Sequence, residues 1–457
     1  MNCPRCSVSC LRVNGKNGET DVAYCPSCYQ MVKECAKCQN YGRLLSKFCS
    51  KCNAKQDAPP DAWPMAHCNA SRNAYRLTSD YQFPTPRYTR RFKVPDMHQI
   101  SSMVLAGGIL FVPDPRETCY HLYNPLGDTL KPIHGISDDT PHSRIECASV
   151  SCFSSTPVIH DYHLFFATPS TIVRINLEVT QREEILHDEK IILPRHCAPL
   201  VVCTELEGVK REATLVFGCK NHLLIMNTLH KPEYRFVELL NLNNGEEIRT
   251  PCVYQNSQIV VTTSQGKLFT FDLFDENVSQ VEAVFTSNAS FSAPTALEDC
   301  IIFEELDLQN RTRNAISYSP QKTVKMSRFD LFKVTLRKKF NDVYEAKQKY
   351  PPLSDGKRVI FTDDLGKEIG LSSGGALTSR AHTSSSLMTH QAIWVGDEVF
   401  FVSDTRWGRL NLKTMWADTL PLGNSANDQV YGIAQPIIVG NNLYVLCLDR
   451  VISKSIV

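Results

Sequence analysis

One phrase recurs from about residue 90 to residue 457, and it constrains the fold more than any other feature of the chain. It begins with proline or a small residue, runs through three or four apolar positions, turns on polar residues and continues as a strongly apolar strand. "PVIHDYHLFFATPSTIVRINL" from Pro157 can be set beside "PCVYQNSQIVVTTSQGKLFTFDL" from Pro251, "AIWVGDEVFFVSDTRWGRLNL" from Ala392 and "PIIVGNNLYVLCLDRVISKSIV" from Pro436. Further copies start near Ser102, Pro199 and Pro294, and a weaker one at Pro352. The starts lie about 40 to 58 residues apart, the length of one four-stranded antiparallel sheet. Helical periodicity is almost absent. Repeated small sheets that are apolar on both faces bury those faces by stacking around an axis, which predicts an all-β chain whose body is a β-propeller.

The phrase of proline, apolar run, turn, apolar strand, glycine and a closing Asp or Asn resembles the pyrroloquinoline-quinone-type propeller repeat. It lacks the Gly-His and Trp-Asp marks of the WD repeat. Seven or eight blades are expected; the stretch 306–391 either extends the fifth blade or prefaces another. The last copy ends after its third strand, and "YTRRFKVP" at Tyr88–Pro95 stands before the first copy without a blade of its own. Pairing these two closes the ring and removes two open edges. The resemblance also implies an enzyme reading, a quinone-dependent oxidoreductase. Such enzymes carry an export signal, an adjacent cysteine pair and calcium-binding carboxylates. The chain shows no apolar leader and no Cys-Cys pair, and its four tryptophans are Trp63, Trp394, Trp407 and Trp416. This reading ranks third.

The head has a different texture. Four Cys-x-x-Cys steps lie within its first 52 residues: Cys3 and Cys6, Cys25 and Cys28, Cys35 and Cys38, Cys49 and Cys52. Each step forms a turn that offers two thiolates to one ion, and two steps complete a tetrahedral site. The first two are joined by 18 residues containing "NGKNGE", a hairpin-turn phrase. The last two are joined by ten, and six residues, "YQMVKE", separate the two sets. The array resembles the double zinc ribbon family over residues 1–55. That implies two structural zinc ions held by eight thiolates, in place of a hydrophobic core too small to stand alone. Four thiolates leave no open coordination position for catalysis. Cys10 is read as a bystander, with replacement of Cys6 as the alternative.

Residues 56–86 carry five prolines and no sustained period and are read as a linker, His67 and Cys68 included; residues 87–457 are the body. With 19 cysteines and no signal-like N-terminus, a cytoplasmic protein with reduced thiols is expected, and no segment has the apolar length of a membrane span. Net charge is +1 overall, yet residues 1–56 hold nine basic and three acidic side chains. Two zinc–tetrathiolate sites, each about −2, would cut that head charge to about +2.

No catalytic constellation stands out. His160, His163, His187, His196, His222 and His230 are read as scattered over separate blades, and Cys147, Cys152, Cys197 and Cys203 as buried thiols. "SSGG" at Ser372–Gly375 is read as a loop without a following helix, and "TLRKKF" at Thr335–Phe340 as a solvated cluster or partner patch. The expected function is therefore a non-enzymatic scaffold that binds protein partners through both head and body. A nucleic-acid adaptor with the ribbons on DNA or RNA is the alternative, because Tyr24, Tyr29, Tyr41 and Phe48 accompany basic residues in the head. No membrane partner is expected.

Overall fold

The computed structural model describes residues 11–15, 18–24, 31–43, 49 and 51–54 of the head, 75–76 of the connector and 90–91 at the start of the body. In the body it describes 103–106, 109–114, 118–124, 131–132, 144–146, 156–160, 163–176, 181–192, 197–202, 205–206, 209–210, 213–227, 233–255, 257–307, 309–310, 312–321, 326–331, 351–362, 368–373, 376–382, 392–403, 406–423, 435–439, 442–447 and 450–456. These residues are all-β, and the body is an eight-bladed propeller.

Each blade opens on the start of a repeated phrase. The innermost strands are Val104–Ala106, Val158–His160, Leu200–Val202, Cys252–Tyr254, Thr295–Ala296, Leu353–Ser354, Ala392–Val395 and Ile437–Val439, for blades one to eight in order. The inner strands of blades one and two, two and three, four and five, and six and seven approach one another around the axis. The expected ambiguity over residues 306–391 resolves in favour of eight blades. Thr312–Tyr318 and Met326–Asp330 complete blade five, whereas Leu353–Ser354 starts blade six.

The phrase folds this way because its second strand is apolar at consecutive positions. Leu164, Phe165, Phe166 and Ala167 are all buried, as are Ile259, Val260 and Val261. A strand buried on both faces needs a sheet on either side, and stacked blades supply two. One apolar cluster joins blades two, three and four through residues such as Phe165, Phe217 and Phe269. Another runs from Ile360 of blade six through Trp394 and Leu443 to Leu110 of blade one, so blade eight packs against blade one and the ring is closed by side chains.

The backbone closes it too. Arg90–Arg91 pairs antiparallel with Arg450–Ser455, the third strand of blade eight, in the register Arg450 to Arg91 and Val451 to Arg90. This is the closure that the isolated segment at 88–95 predicts. A second tie crosses between blades three and four. Gln280–Val281 leaves blade four and pairs parallel with Glu238–Leu239 on the outer edge of blade three, while the Arg235 guanidinium donates to the carbonyls of Val278 and Leu273 at 2.7 and 2.8 Å.

In the head, Leu11–Gly15, Gly18–Tyr24, Met31–Glu34 and Tyr41–Arg43 form one antiparallel sheet in chain order. Gly15 pairs with Gly18 inside the "NGKNGE" phrase. The six-residue spacer supplies the Met31–Glu34 strand. That strand pairs on one side with the first hairpin and on the other with the second cysteine set, so both halves share a sheet.

Candidate metal centre

The second cysteine set forms a compact group. The thiols of Cys35, Cys38, Cys49 and Cys52 lie within 4.8 Å of one another, the only such group of three or more potential ligands among the described residues. Cys35 Sγ is 3.6 Å from Cys52 Sγ, and Cys38 Sγ is 3.5 Å from Cys49 Sγ. Four sulfurs at about 2.3 Å from a tetrahedral ion stand about 3.8 Å apart. The group could therefore hold a metal ion with little movement.

Two copies of one local structure position these thiols. In "CAKCQN" the Gln39 amide donates to the Cys35 carbonyl at 2.7 Å and the Cys35 amide to the Asn40 carbonyl at 2.9 Å. In "CSKCNA" Asn53 donates to Cys49 at 2.8 Å and Cys49 to Ala54 at 2.9 Å. The residue after the second cysteine takes a left-handed backbone in both, with φ of 55° at Gln39 and 53° at Asn53. That conformation turns the chain back so that both side chains of a step point to one side; asparagine tolerates it well.

The turns also aim amides at sulfur. The backbone N–H of Cys38, and after it that of Lys37, act on Cys35 and hold its thiol below the usual value. The amides of Cys52 and Lys51 do the same for Cys49, bringing it down to about 6. Cys38 goes the other way, to about 12: the Asn40 amide pulls it down, but burial and the three neighbouring thiols outweigh that pull. Four thiols crowded together cannot all ionise without a cation, whereas amides that bond two of them favour the thiolate a metal requires. Cys35 and Cys49 are buried, and Cys38 and Cys52 are half-buried. Cys3, Cys6, Cys10, Cys25 and Cys28 lie outside the described residues.

The other singled-out residues do not assemble into a site. His160, His163 and His187 share blade two, not separate blades as the sequence suggested, since residue spacing does not reveal that one sheet uses all three. Their partners differ nonetheless. His163 tilts against the Phe165 ring, and His187 Nδ1 lies 3.3 Å from Thr171 Oγ1. His222 in blade three packs edge-on to Phe236, and burial pulls its pKa down. Cys197 is buried, in line with expectation. Ser372 and Ser373 end a strand of blade six, with the strand Ala376–His382 following, so this part of the phrase is not a loop. His67, Cys68, Cys147, Cys152, His196, Cys203, His230 and residues 335–340 lie outside the described residues.

The structure adds a buried polar cluster that the sequence did not announce. His121 Nε2 stands 3.2 Å from Asp114 Oδ2 and 3.8 Å from Cys119 Sγ, on the second and third strands of blade one. Asp114 pairs in register with Cys119, and Val112 with His121, which is why residues seven apart in sequence meet. All three are buried, and they tie one hairpin together.

No known family matches the chain, and no characterised protein matches its sequence. The class of the molecule therefore rests on its own geometry: an eight-bladed β-propeller preceded by a four-cysteine group that could hold a metal ion. Among the described residues, no helix is long and apolar enough to cross a membrane.

Proposed function

We propose that this protein is a non-enzymatic interaction scaffold of the cytoplasm, with a zinc-held head and a propeller body that both dock partner proteins. The observation that carries this reading is an apolar edge on the ring. Trp416 and Leu420, on the outer strand of blade seven, are 61 % and 51 % exposed. Leu420 borders a groove of about 190 Å³ with Phe400, Trp407, Arg409 and Ile456. Exposed tryptophan and leucine beside an arginine, on an outer strand held by three strands beneath it, match the composition of protein contact sites. A rigid ring also lets such an edge vary without cost to the fold.

In the head, zinc is the ion that suits four thiolates with near-tetrahedral spacing, and its role is structural. Cys3, Cys6, Cys25 and Cys28 complete a second site of the same kind in this proposal. Replacing Cys49 with Ser should lower bound zinc from two ions per chain to one while the body's melting transition stays in place. Elemental analysis giving no zinc in protein with fully reduced thiols would remove the zinc assignment.

The scaffold is tested by affinity capture with the full chain and a W416D/L420D variant. A defined set of proteins should be lost from the variant, with its melting temperature unchanged and nuclease treatment without effect. Capture sets that are identical for the two, together with micromolar and steeply salt-dependent nucleic-acid binding by the full chain, would replace the scaffold with the nucleic-acid adaptor.

A further inference from the structure

Blade seven differs from the others at its axis. Its inner strand, Ala392–Val395, carries an additional neighbour: Tyr75–Arg76 of the connector, paired parallel with Tyr75 opposite Trp394 and Arg76 opposite Val395. Among the described residues, no inner strand of the other seven blades has a partner on its axial side. An antiparallel ladder uses every second N–H and C=O of an edge strand, so the rest face outward and need a partner. In blade seven the chain's own connector provides it, next to the turn at Gly396–Asp397.

That edge is held rigidly from behind. The Trp394 indole is fully buried; its Nε1 donates to the Gly396 carbonyl at 2.9 Å, and the Arg358 guanidinium stacks 4.9 Å from its ring. Arg358 is in turn fixed by Asp355 at 2.8 Å. A fixed, extended backbone with outward-facing polar groups is what strand addition requires, and it recognises main chain before side chain.

We infer that the inner edge of blade seven is a strand-addition site, occupied in the full chain by the connector strand Tyr75–Arg76. The chain length permits it. Residues 77–89 separate the connector strand from the closing strand and extend to about 40 Å, against about 20 Å for the four strand spacings from the axial side of blade seven to the outer strand of a blade and about 10 Å for the step to blade eight. A tether of this length keeps the connector at an effective concentration of the order of millimolar. An extended peptide from a partner reaches this edge only by pairing over more than the two positions the connector uses. The axial edge is thereby withheld until the connector is displaced. The inference concerns the ring and its connector alone and does not depend on the metal or on which proteins dock.

Two measurements on the full chain test it. In Y75P/R76P neither connector position can donate a hydrogen bond, and neither residue belongs to a blade. Amide hydrogen exchange in the peptide containing Ala392–Val395 should be at least about fivefold faster than in the unaltered chain, the effect of losing about one hydrogen bond. Exchange there that does not change would overturn the assignment. Independently of any effect on folding, R76C/V395C should form a disulfide under mild oxidation, because strand neighbours about 4.8 Å apart lie within disulfide range. The linked peptide should exceed that from R76C/V439C, which places cysteine at the equivalent end of blade eight's inner strand. Equal yields from the two pairs would refute the site.

Discussion

Trp394 offers the sharpest test of how the blades are held. Its side chain is fully buried between blades six and seven, with one hydrogen bond to the Gly396 carbonyl and one guanidinium over its face. Truncation to alanine removes about 200 Å² of buried aromatic surface, worth about 5 kcal/mol at about 25 cal/mol per Å². Measured costs for such truncations run at about 3–5 kcal/mol. W394F keeps most of the ring but gives up the hydrogen bond to the half-buried Gly396 carbonyl and part of the buried area, so about 1–2 kcal/mol is expected. With an unfolding entropy of about 2.1 cal/mol/K per residue over a body of about 370 residues, these correspond to drops of about 5 °C and 2 °C. Arg358 adds a coupling: R358M should cost about 1 kcal/mol more in the unaltered chain than in the W394A background, once the Asp355 pairing common to both cancels in the double-mutant cycle. Far-ultraviolet circular dichroism melts of the unaltered chain and these variants give the numbers. A W394A shift under about 1 °C, or a W394F shift equal to it, would refute the claim that this ring joins the blades.

Three further outcomes follow from other parts of the ring. A chain starting at Met97 lacks the closing strand Arg90–Arg91 and should melt earlier or aggregate relative to one starting at Pro84; equal melts would contradict closure through Arg450–Ser455. At Gly266, with φ of +80°, an added Cβ would lie 2.2 Å from the Ala289 carbonyl oxygen and 2.4 Å from that of Ser287, so G266A should cost about 3 kcal/mol or more by chemical denaturation. Gly245 has a similar φ of +79° but nothing within 4 Å, and G245A should cost only about 1–2 kcal/mol. Burial lowers the His222 pKa from its usual 6.5, so the unfolded chain binds this proton more readily than the folded one. Its contribution is full above that value and declines as pH falls below it; H222N should reduce the loss of stability between pH 8 and pH 5, read from denaturation midpoints.

The local order of this chain was legible from residue order alone. The phrases beginning at Ser102, Pro157, Pro199, Pro251, Pro294, Pro352, Ala392 and Pro436 each mark a blade, because a strand buried on two faces must be apolar at consecutive positions and must turn within a fixed length. The unattached strand near Arg90 announced the closure for a similar reason: an edge without a partner is costly, and only the last blade lacked a strand. The spacing of Cys35, Cys38, Cys49 and Cys52 likewise foretold their convergence, since a tight turn places both thiols of a step on one side. Three things were decided only in three dimensions. The number of blades turned on residues 306–391, where the phrase weakens and strand membership is set by pairing with Ile301–Asp307. The grouping of Asp114, Cys119 and His121 depends on cross-strand register, which a single residue's slip would change. The pairing of Tyr75–Arg76 with Trp394 and Val395 left no trace in composition or period. Two residues are too few to show alternation, and a contact made through backbone groups about 320 residues apart in the chain selects no particular side chain.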